Sequence, residues 1–420
     1  MPKLEYRWSV VLMLWAICFF NYADRQAIFS VFPLLGDQLH LNTLQLGMLG
    51  SAFAWVYAFA APWAGTLVDR IRKKAAILIG LEAWSVICMA TALAPGFPSL
   101  LALRGLEGLG ESIYFPASMA MISAWHGPST RSRALGLHQT SVYIGTIAGG
   151  FFAGWIGERY GWRLSFLVFG GLGCLLGLAL QRVLREPKIS MDELNELKRD
   201  LHAAPEHRGG FLSAVRFLLD TPTALILMIS FACANFVAVV LLAWMPSFLY
   251  SRFHMSLAIA GLAATAVAQI SSMIGSAAGG VAADFLTQRT KAGRILVQAA
   301  GVLFGAPFVL LCGLTHSPVW LVFALCGWGF GKGLYDANIF ASLFDVIPAA
   351  MRGRMTGMMN AFGWLIGGST APVLVGYVAL QRGLGMAIAL SSAVYLLAAV
   401  GLMLAAWRSQ NDIAYSNAAA

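Results

Sequence analysis

A series of about a dozen apolar segments, each of roughly 20 residues, restricts the possible folds of this chain more than any other feature. A helix of that length crosses the hydrocarbon core of a bilayer and satisfies its own backbone polar groups there. The chain is 59% hydrophobic and only 11% charged, which excludes an ordinary soluble protein. We therefore predict an all-α membrane protein with twelve transmembrane helices at 8–34, 43–68, 75–95, 99–124, 133–157, 163–184, 221–250, 257–284, 294–314, 317–345, 353–380 and 384–407.

The basic residues are distributed unevenly over the loops between these segments. The net charge is +9, and most of the 28 Lys and Arg residues fall near the two termini or in every second loop. The intervening loops hold Arg159, Arg163, Arg252 and Arg382. Because cytoplasmic loops are enriched in Lys and Arg, this pattern places both termini in the cytoplasm of a cell (inner) membrane protein. It accounts for the charge without a nucleic-acid partner. The first apolar segment is too long for a cleaved signal peptide.

The six cysteines all fall inside apolar segments. None forms a CxxC pair or a spacing with histidine that is typical of a metal site, so we expect no disulfide, no metal and no cofactor. The glycine-rich runs GLEGLGE and GFGKG are interpreted as helix-packing sequences, because no strand precedes the second run and no Ser or Thr follows Lys332. ATP-driven chemistry has no support in the sequence, and we do not expect an enzyme.

A polar stretch at 185–220 divides the chain into two halves that resemble each other. Matched residues recur in the same order at a spacing of about 213–222 residues, as expected for two parallel six-helix repeats. The matched pairs include Asn21 with Asn235, Gly136 with Gly357, Gln139 with Asn360, Gly145 with Gly367 and Gly154 with Gly376. We predict an N-terminal bundle at 1–184, a cytoplasmic linker with a short amphipathic helix at 185–220 and a C-terminal bundle at 221–420.

Charged side chains inside the apolar segments are the main functional signal. Asp24 and Arg25 lie in the first segment, where one charge at the centre of a membrane helix costs about 2.5–3.5 kcal/mol. Adjacent helical residues point about 100° apart, so the two must face a water-filled cavity or partners on other helices. In the fourth segment, helical spacing puts Arg104, Glu107 and Glu111 on one stripe. Fixed ion pairs that join helices are the alternative interpretation for all five residues.

These charges are suited to two kinds of chemistry. A buried carboxylate whose surroundings change as water enters can take up and release a proton. Asp24 and Glu111 are the candidates, with Arg25 and Arg104 as their partners, and Glu107 either joins them or neutralises Arg104. Arg25 is also the best anion ligand, because a planar guanidinium meets a carboxylate with two hydrogen bonds.

The sequence GTLVDRIRKK, which ends at Lys74, resembles the signature loop of the major facilitator superfamily. It differs from the usual pattern at Arg72, where glycine is common. A degenerate copy, GVAAD, ends at Asp284 in the matching place of the second half. Together with twelve spans and a central polar stretch, the resemblance covers nearly the whole chain. It implies two six-helix bundles that move about a central site.

Two families within this superfamily fit the residues. The NYADR sequence at 21–25, the acids of the fourth segment and Pro116 resemble the anion:cation symporters, which include sugar-acid and sialin-like carriers. Spinster-like carriers of lysolipids and sphingolipids share the NYxDR start and the GLGE run. The first resemblance implies proton-coupled symport of a small organic anion, with the matching acids in proton coupling and Arg25 in substrate binding. The second implies an amphiphilic lipid substrate. Nothing in the sequence indicates an oligomer, so we expect a monomer.

Polar and aromatic side chains within the spans are further candidates for substrate contact. Lys332 is either a second anion contact or the ion-pair partner of Asp336. Gln139 and Asn360 either meet substrate hydroxyls or join helices. The predicted substrate-binding set is Arg25, Asn21, Tyr22, Tyr57, Tyr114, Gln139, Tyr143, Lys332, Tyr335, Asn360 and Trp364. We expect Asp69, Arg70, Arg131, Arg133 and Asp284 to form a cytoplasmic gate that does not touch the substrate.

Overall fold

The computed structural model describes residues 3–187, 211–348 and 351–418, and the regular elements in these ranges are helices. In the first range they are α1 (Lys3–Ser30), α2 (Phe32–Leu39), α3 (Thr43–Arg70), α4 (Lys73–Thr91), α5 (Phe97–Ser112), α6 (Tyr114–Trp125), α7 (Pro128–Tyr160) and α8 (Trp162–Val183). The later ranges hold α9 (Phe211–Asp220), α10 (Pro222–Phe253), α11 (Leu257–Thr287), α12 (Gly293–Leu314), α13 (Pro318–Asp336), α14 (Ile339–Val346), α15 (Arg352–Phe362), a π-helix (Gly363–Gly368), α16 (Thr370–Arg382) and α17 (Leu384–Ala418).

The predicted twelve-helix fold is confirmed. Eight of the described helical segments are long and apolar enough to cross a membrane. The other four spans are α1, α7 and two helices that are broken in the middle, α5–α6 and α13–α14. Three of these four carry the charged side chains that the sequence places inside the membrane. The charged candidate residues therefore lie in spans that are not among the eight long apolar segments.

The backbone repeats the internal symmetry of the sequence. Among the described residues, His40 and His254 are the non-glycine residues with positive φ, and they end the equivalent helices α2 and α10. Gly161 and Gly383, with φ of 90° and 79°, end α7 and α16. The two histidines have the same sequence spacing as Asn21 and Asn235, and the two glycines have the same spacing as Gly145 and Gly367. Equivalent helices therefore end at equivalent turns.

Each half contributes equivalent helices to the contact between the halves. α3 packs on α16, and α7 packs on α11. Because α3 and α11 are the second spans of their halves and α7 and α16 are the fifth, exchanging the halves converts one interface into the other. At one end of the molecule the Thr43 hydroxyl donates to the Gly376 carbonyl at 2.8 Å, and the Leu257 amide donates to the Glu158 carboxylate at 3.1 Å. These bonds close that end between the halves.

The predicted linker is described only in part. Residues 188–210, which include the predicted amphipathic helix, lie outside the described ranges. α9 occupies the end of the predicted linker and is followed directly by α10. The boundaries 1–184, 185–220 and 221–420 remain predictions.

Two glycines bring the backbones of α1 and α7 into contact. A Cβ atom on Gly149 would lie 2.2 Å from the carbonyl oxygen of Ala23, and one on Gly145 would lie 2.5 Å from that of Phe19. Such distances leave no room for a side chain, because a clash with backbone cannot be relieved by a rotamer change. The two glycines thus fix the position of α1, which carries Asp24 and Arg25.

We expect Gly149→Leu to destabilise the protein, because the added side chain must push α7 away from α1. Overpacking typically costs about 1–3 kcal/mol. The apparent melting temperature in detergent should fall clearly below that of the matched control Gly136→Leu, since a Cβ atom on Gly136 of the same helix meets nothing within 4 Å. Equal melting temperatures for the two variants would show that α1 and α7 do not pack in this way.

Candidate functional site

A cavity of about 250 Å³ lies between the two halves. It is lined by Tyr22, Arg25, Gln26, Phe29, Gly50, Phe53, Ala54, Val142, Tyr143 and Thr146 of the N-terminal half and by Asn235, Ala238, Val239, Leu242, Gln269, Lys332, Trp364, Gly368 and Pro372 of the C-terminal half. Among these described lining residues, the charged side chains are Arg25 and Lys332, and both are cationic. The cavity wall therefore favours an anion.

Arg25 is held by one carboxylate and three aromatic rings. Its Nε and Nη2 atoms donate to Glu111 Oε2 at 3.1 and 2.5 Å. The guanidinium carbon lies 4.8, 4.7 and 5.1 Å from the ring centres of Tyr22, Phe53 and Tyr57. Cation–π contacts of this kind stabilise a desolvated guanidinium. The Arg25 side chain is still 13% exposed, whereas that of Glu111 is fully buried, so Arg25 presents its open side to the cavity.

A second group of charges lies deeper in the N-terminal half. Arg104 pairs with Glu107, three residues later on α5, and both side chains are buried. A carboxylate oxygen of Asp24, one of Glu107 and the Cys88 sulfur lie within 4.8 Å of one another. Oδ1 of Asp24 and the Nε and Nη2 atoms of Arg104 have no hydrogen-bond partner within the described ranges. We call Asp24, Arg25, Arg104, Glu107 and Glu111 the charge cluster.

The charge cluster holds three carboxylates and two guanidiniums, so it carries one carboxylate in excess. α1 supplies Asp24 and Arg25, and α5 supplies the other three side chains from one face. The Arg104 guanidinium, which pairs with Glu107, argues against a metal ion at the Asp24–Cys88–Glu107 group, since a bound cation and Arg104 would repel each other. The arrangement suits the binding of a proton better than the binding of a metal.

Among the described residues of the C-terminal half, Lys332 and Asp336 form an ion pair within α13. Lys332 Nζ donates to Asp336 Oδ2 one turn further along α13, and the two side chains are 17% and 31% exposed. Lys332 also lines a second cavity of about 80 Å³, together with Asn235, Ala238, Tyr335 and Asp336. The structure therefore shows both features that the sequence left as alternatives, an ion pair and a place on the wall of the central cavity.

A π-helix brings Trp364 to the wall of the central cavity. The segment contains Gly363, Gly367 and Gly368, and a Cβ atom on Gly367 would lie 2.1 Å from the Ala232 carbonyl oxygen on α10. Single-turn π segments are frequent at functional sites. The Trp364 ring centre lies 6.4 Å from that of Tyr57, so the two rings meet across the gap between the halves.

A sequence model of the Major Facilitator Superfamily matches residues 14–372. This chain is a member of that superfamily. The probable galactarate/D-glucarate transporter GudP of Bacillus subtilis (strain 168) is 29% identical over 405 residues, which cover 90% of this chain and 86% of that protein. The hexuronate transporter of the same strain is 27% identical over 387 residues, covering 89% and 88%.

A solved structure shares the fold. The crystal structure of a bacterial homolog of the human lysosomal transporter Spinster, in an inward-facing and unoccupied conformation, superposes with a TM-score of 0.84 over 97% of this chain and 98% of its own. The sequence identity is 21%, so this likeness shows the fold alone. The superfamily predicted from the sequence is confirmed. The protein is an integral membrane transporter and not an enzyme.

Part of the predicted substrate-binding set lines the central cavity of this superfamily member. The members of the set that do so are Tyr22, Arg25, Tyr143, Lys332 and Trp364. Tyr57 reaches it indirectly, through its ring contacts with Arg25 and Trp364. Gln139 and Asn360 each lie about one helical turn before a lining residue, Tyr143 and Trp364, and are not in the lining themselves.

Three other members of the predicted set lie away from the central cavity. Asn21 is buried within the N-terminal half, and Tyr335 lines only the second cavity. Tyr114 is 1% exposed, and its hydroxyl donates to the Leu14 carbonyl at 2.7 Å. Tyr114 is the first residue of α6, directly after the break that follows α5. Pro116 has no N–H to bond the carbonyl four residues earlier, so the helix is interrupted there.

The predicted gate residues are described only in part. The side chains of Asp69 and Arg70 lie outside the described residues. Arg131 Nε donates to the His126 carbonyl at 3.2 Å, at the C-terminal end of α6, and Arg133 and Asp284 are exposed. A gate formed by these five residues remains a prediction.

The structure adds site residues that the sequence did not single out. Phe53 lines the cavity, and its ring centre lies 4.9 Å from the Arg104 guanidinium as well as 4.7 Å from that of Arg25. An aromatic residue in an apolar span looks like core packing, so no sequence signal pointed to it. Gln26 and Gln269 also line the cavity, and amides within apolar spans were a signal that could have found them.

We expect Arg104→Met to lower the free energy of unfolding by about 3–5 kcal/mol, because it leaves carboxylates buried without their cation. Arg104→Met combined with Glu107→Gln should recover most of that loss, since the second change removes one uncompensated charge. Thermal unfolding in detergent at neutral pH measures both effects. The control is Arg294→Met, whose ion pair with Asp345 is 28% exposed on each side and should contribute less than about 1 kcal/mol. A single Arg104 variant as stable as the control would contradict the buried pair.

Proposed function

We propose that this superfamily member is a secondary active transporter that carries a small organic anion, such as a sugar acid, together with protons by alternating access. The most direct support is that the cavity wall is cationic, while the charge cluster next to it holds one more carboxylate than guanidiniums. Arg25 belongs to both, because it lines the cavity and bonds Glu111.

The anion is proposed to bind Arg25. A guanidinium can offer two N–H groups to one carboxylate, and three rings hold this one in place. Gln26, Gln269 and Thr146 supply hydrogen-bonding groups for hydroxyls on the same substrate. The relatives named as galactarate/D-glucarate and hexuronate transporters support a sugar acid as the substrate.

The proton is proposed to bind the charge cluster. A substrate carboxylate that takes the N–H groups of Arg25 competes with Glu111 for them. Glu111 is fully buried, so a charge released there without its cation is costly, and a proton taken up from water removes that cost. Asp24 lies near Glu107, which pairs with Arg104, and these two acids provide a neighbouring place for the proton. Substrate and proton are thereby coupled through one guanidinium, as symport requires.

The alternative is a Spinster-like carrier of lysolipid or sphingolipid. The shared fold supports it, but a shared fold does not identify a substrate. The cavity of about 250 Å³ falls below the roughly 300–1,000 Å³ of sites for drug-sized ligands. A small polar anion fits this volume better than an acyl chain does.

The proposed function needs a defined placement in the membrane. We propose a monomer in the cell (inner) membrane, and the distribution of Lys and Arg supports a cytoplasmic location of both termini. The end closed by Thr43 and Glu158 then faces outward, and the opposite end of the molecule faces the cytoplasm. Asp69, Arg70, Arg131, Arg133 and Asp284 lie at the opposite, cytoplasmic end and are proposed to form the gate there.

We expect Asp24→Asn and Glu111→Gln to abolish uptake driven by a pH gradient, because neither amide can carry the proton. Counterflow exchange of substrate should persist in part, since exchange needs no net proton movement. Both are measured in proteoliposomes with labelled D-glucarate and D-glucuronate. Asp37→Asn is the matched control, because Asp37 is exposed at the end of α2 and outside the charge cluster. Full pH-driven accumulation by both cluster variants would disprove this assignment of proton coupling.

Arg25→Lys should raise the KM for the same substrates by about tenfold or more, because an ammonium keeps the charge but loses the planar pair of donors. Initial uptake rates over a range of substrate concentrations measure the change. An unchanged KM would place the anion elsewhere in the cavity.

A further inference from the structure

The two cations of the central cavity come from opposite halves of the protein. Arg25 lies on α1 and Lys332 lies on α13. Each has a carboxylate partner that is absent from the lining of the central cavity, Glu111 for Arg25 and Asp336 for Lys332. The site thus presents a positive group on each side, with Glu111 buried behind Arg25 and Asp336 beside Lys332 on the wall of the second cavity. A substrate with a single carboxylate, bound to Arg25, would contact only one of the two cations.

Lys332 is free to exchange its partner. Its contact with Asp336 is between residues one turn apart on one helix, and both side chains are partly exposed. Both side chains line the second cavity, so a carboxylate that enters there can compete with Asp336 for the Lys332 ammonium. A lysine side chain also has a flexible four-carbon stem, which lets the ammonium turn toward a ligand. No ring among the described residues lies over the Lys332 ammonium, in contrast to the three rings around Arg25.

The second cavity gives that carboxylate a place. Lys332, Asn235 and Ala238 line both cavities, so the small one adjoins the central one. Its volume of about 80 Å³ compares with about 250 Å³ for the central cavity, and it leaves room for a carboxylate group. We call it the side chamber.

We propose that the transporter selects organic acids with a carboxylate at each end, with one carboxylate on Arg25 and the other on Lys332 in the side chamber. This inference rests on the proposed function and adds the class of anion. A diacid of this kind spans the two halves and contacts both. A monoacid contacts Arg25 alone and leaves Lys332 on Asp336. Galactarate and D-glucarate are diacids, and hexuronates are the corresponding monoacids, so they serve as matched probes.

The test compares KM values for D-glucarate and D-glucuronate in proteoliposomes containing the wild-type protein, Lys332→Met, Lys332→Arg and Lys291→Met. We expect the wild type to prefer the diacid. In Lys332→Met the ratio of the diacid KM to the monoacid KM should rise about tenfold or more, the loss expected for one charged hydrogen-bonded contact. Lys332→Arg should keep the ratio within about threefold of wild type, because the cation is retained. Lys291, exposed in the loop after α11, is the charge-matched control.

A ratio unchanged in Lys332→Met would overturn the inference. So would a wild-type protein that carries D-glucuronate but not D-glucarate, a result that leaves the proposed function intact. A protein that carries neither acid nor any other organic anion would instead contradict the proposed function. If Lys332→Met does not fold, the Asp336→Asn variant decides, because freeing Lys332 should lower the diacid KM relative to the monoacid KM, and the opposite change would contradict the side chamber as an anion site.

Discussion

The bond between Arg25 and Glu111 is the interaction on which the site depends. It joins α1 to α5 inside the membrane, and its carboxylate is fully buried. Such a pair survives in a low-dielectric interior only if its geometry is good and neighbouring groups support it. Here three aromatic rings surround the guanidinium, and glycines on α7 hold α1 in place. The packing of the N-terminal half therefore serves to keep charges in a region that would otherwise exclude them.

The two halves share a fold but differ in charge. The residues that match Asp24 and Arg25 in the second half are Ala238 and Val239, and both line the cavity. α1 therefore carries two ionisable groups at these positions, whereas α10 carries apolar side chains. Among the described residues of the C-terminal half, Lys332 and Asp336 form an ion pair within α13. We therefore propose that proton coupling belongs mainly to the first bundle and that the second bundle shapes the remaining surface of the site.

In the sequence, hydropathy and charge predict those features that depend on the free energy of transfer into a membrane. The spans and the intramembrane charges follow from that energy, because a buried charge is costly wherever it lies, and the superfamily followed from the signature loop. Helical spacing alone offered Glu107 as a partner of Arg104 and Asp336 as a partner of Lys332. Which guanidinium Glu111 takes did not follow, since pairing between helices depends on the distance between them. Tyr114 is buried away from the cavity, and Phe53 enters the site although its sequence context is that of a core residue. A correctly predicted span therefore does not by itself give a correct site. The rotation of a helix about its axis, and breaks within the helix, decide which side chains face the cavity.

The π-helix at Gly363–Gly368 marks a difference in length between the two halves. From Gln139 and Asn360 to Gly145 and Gly367, the sequence spacing between matched residues grows by one, and the π-helix lies within that interval. The second half therefore contains one residue more than the first at this point, and the wider turn absorbs it without shifting Gly376 against α3. Tyr143 and Trp364 lie four residues after the matched Gln139 and Asn360, and both line the cavity. The extra residue is therefore accommodated between the aromatic residue at the cavity and the glycine that packs at the interface, and both of these contacts are kept.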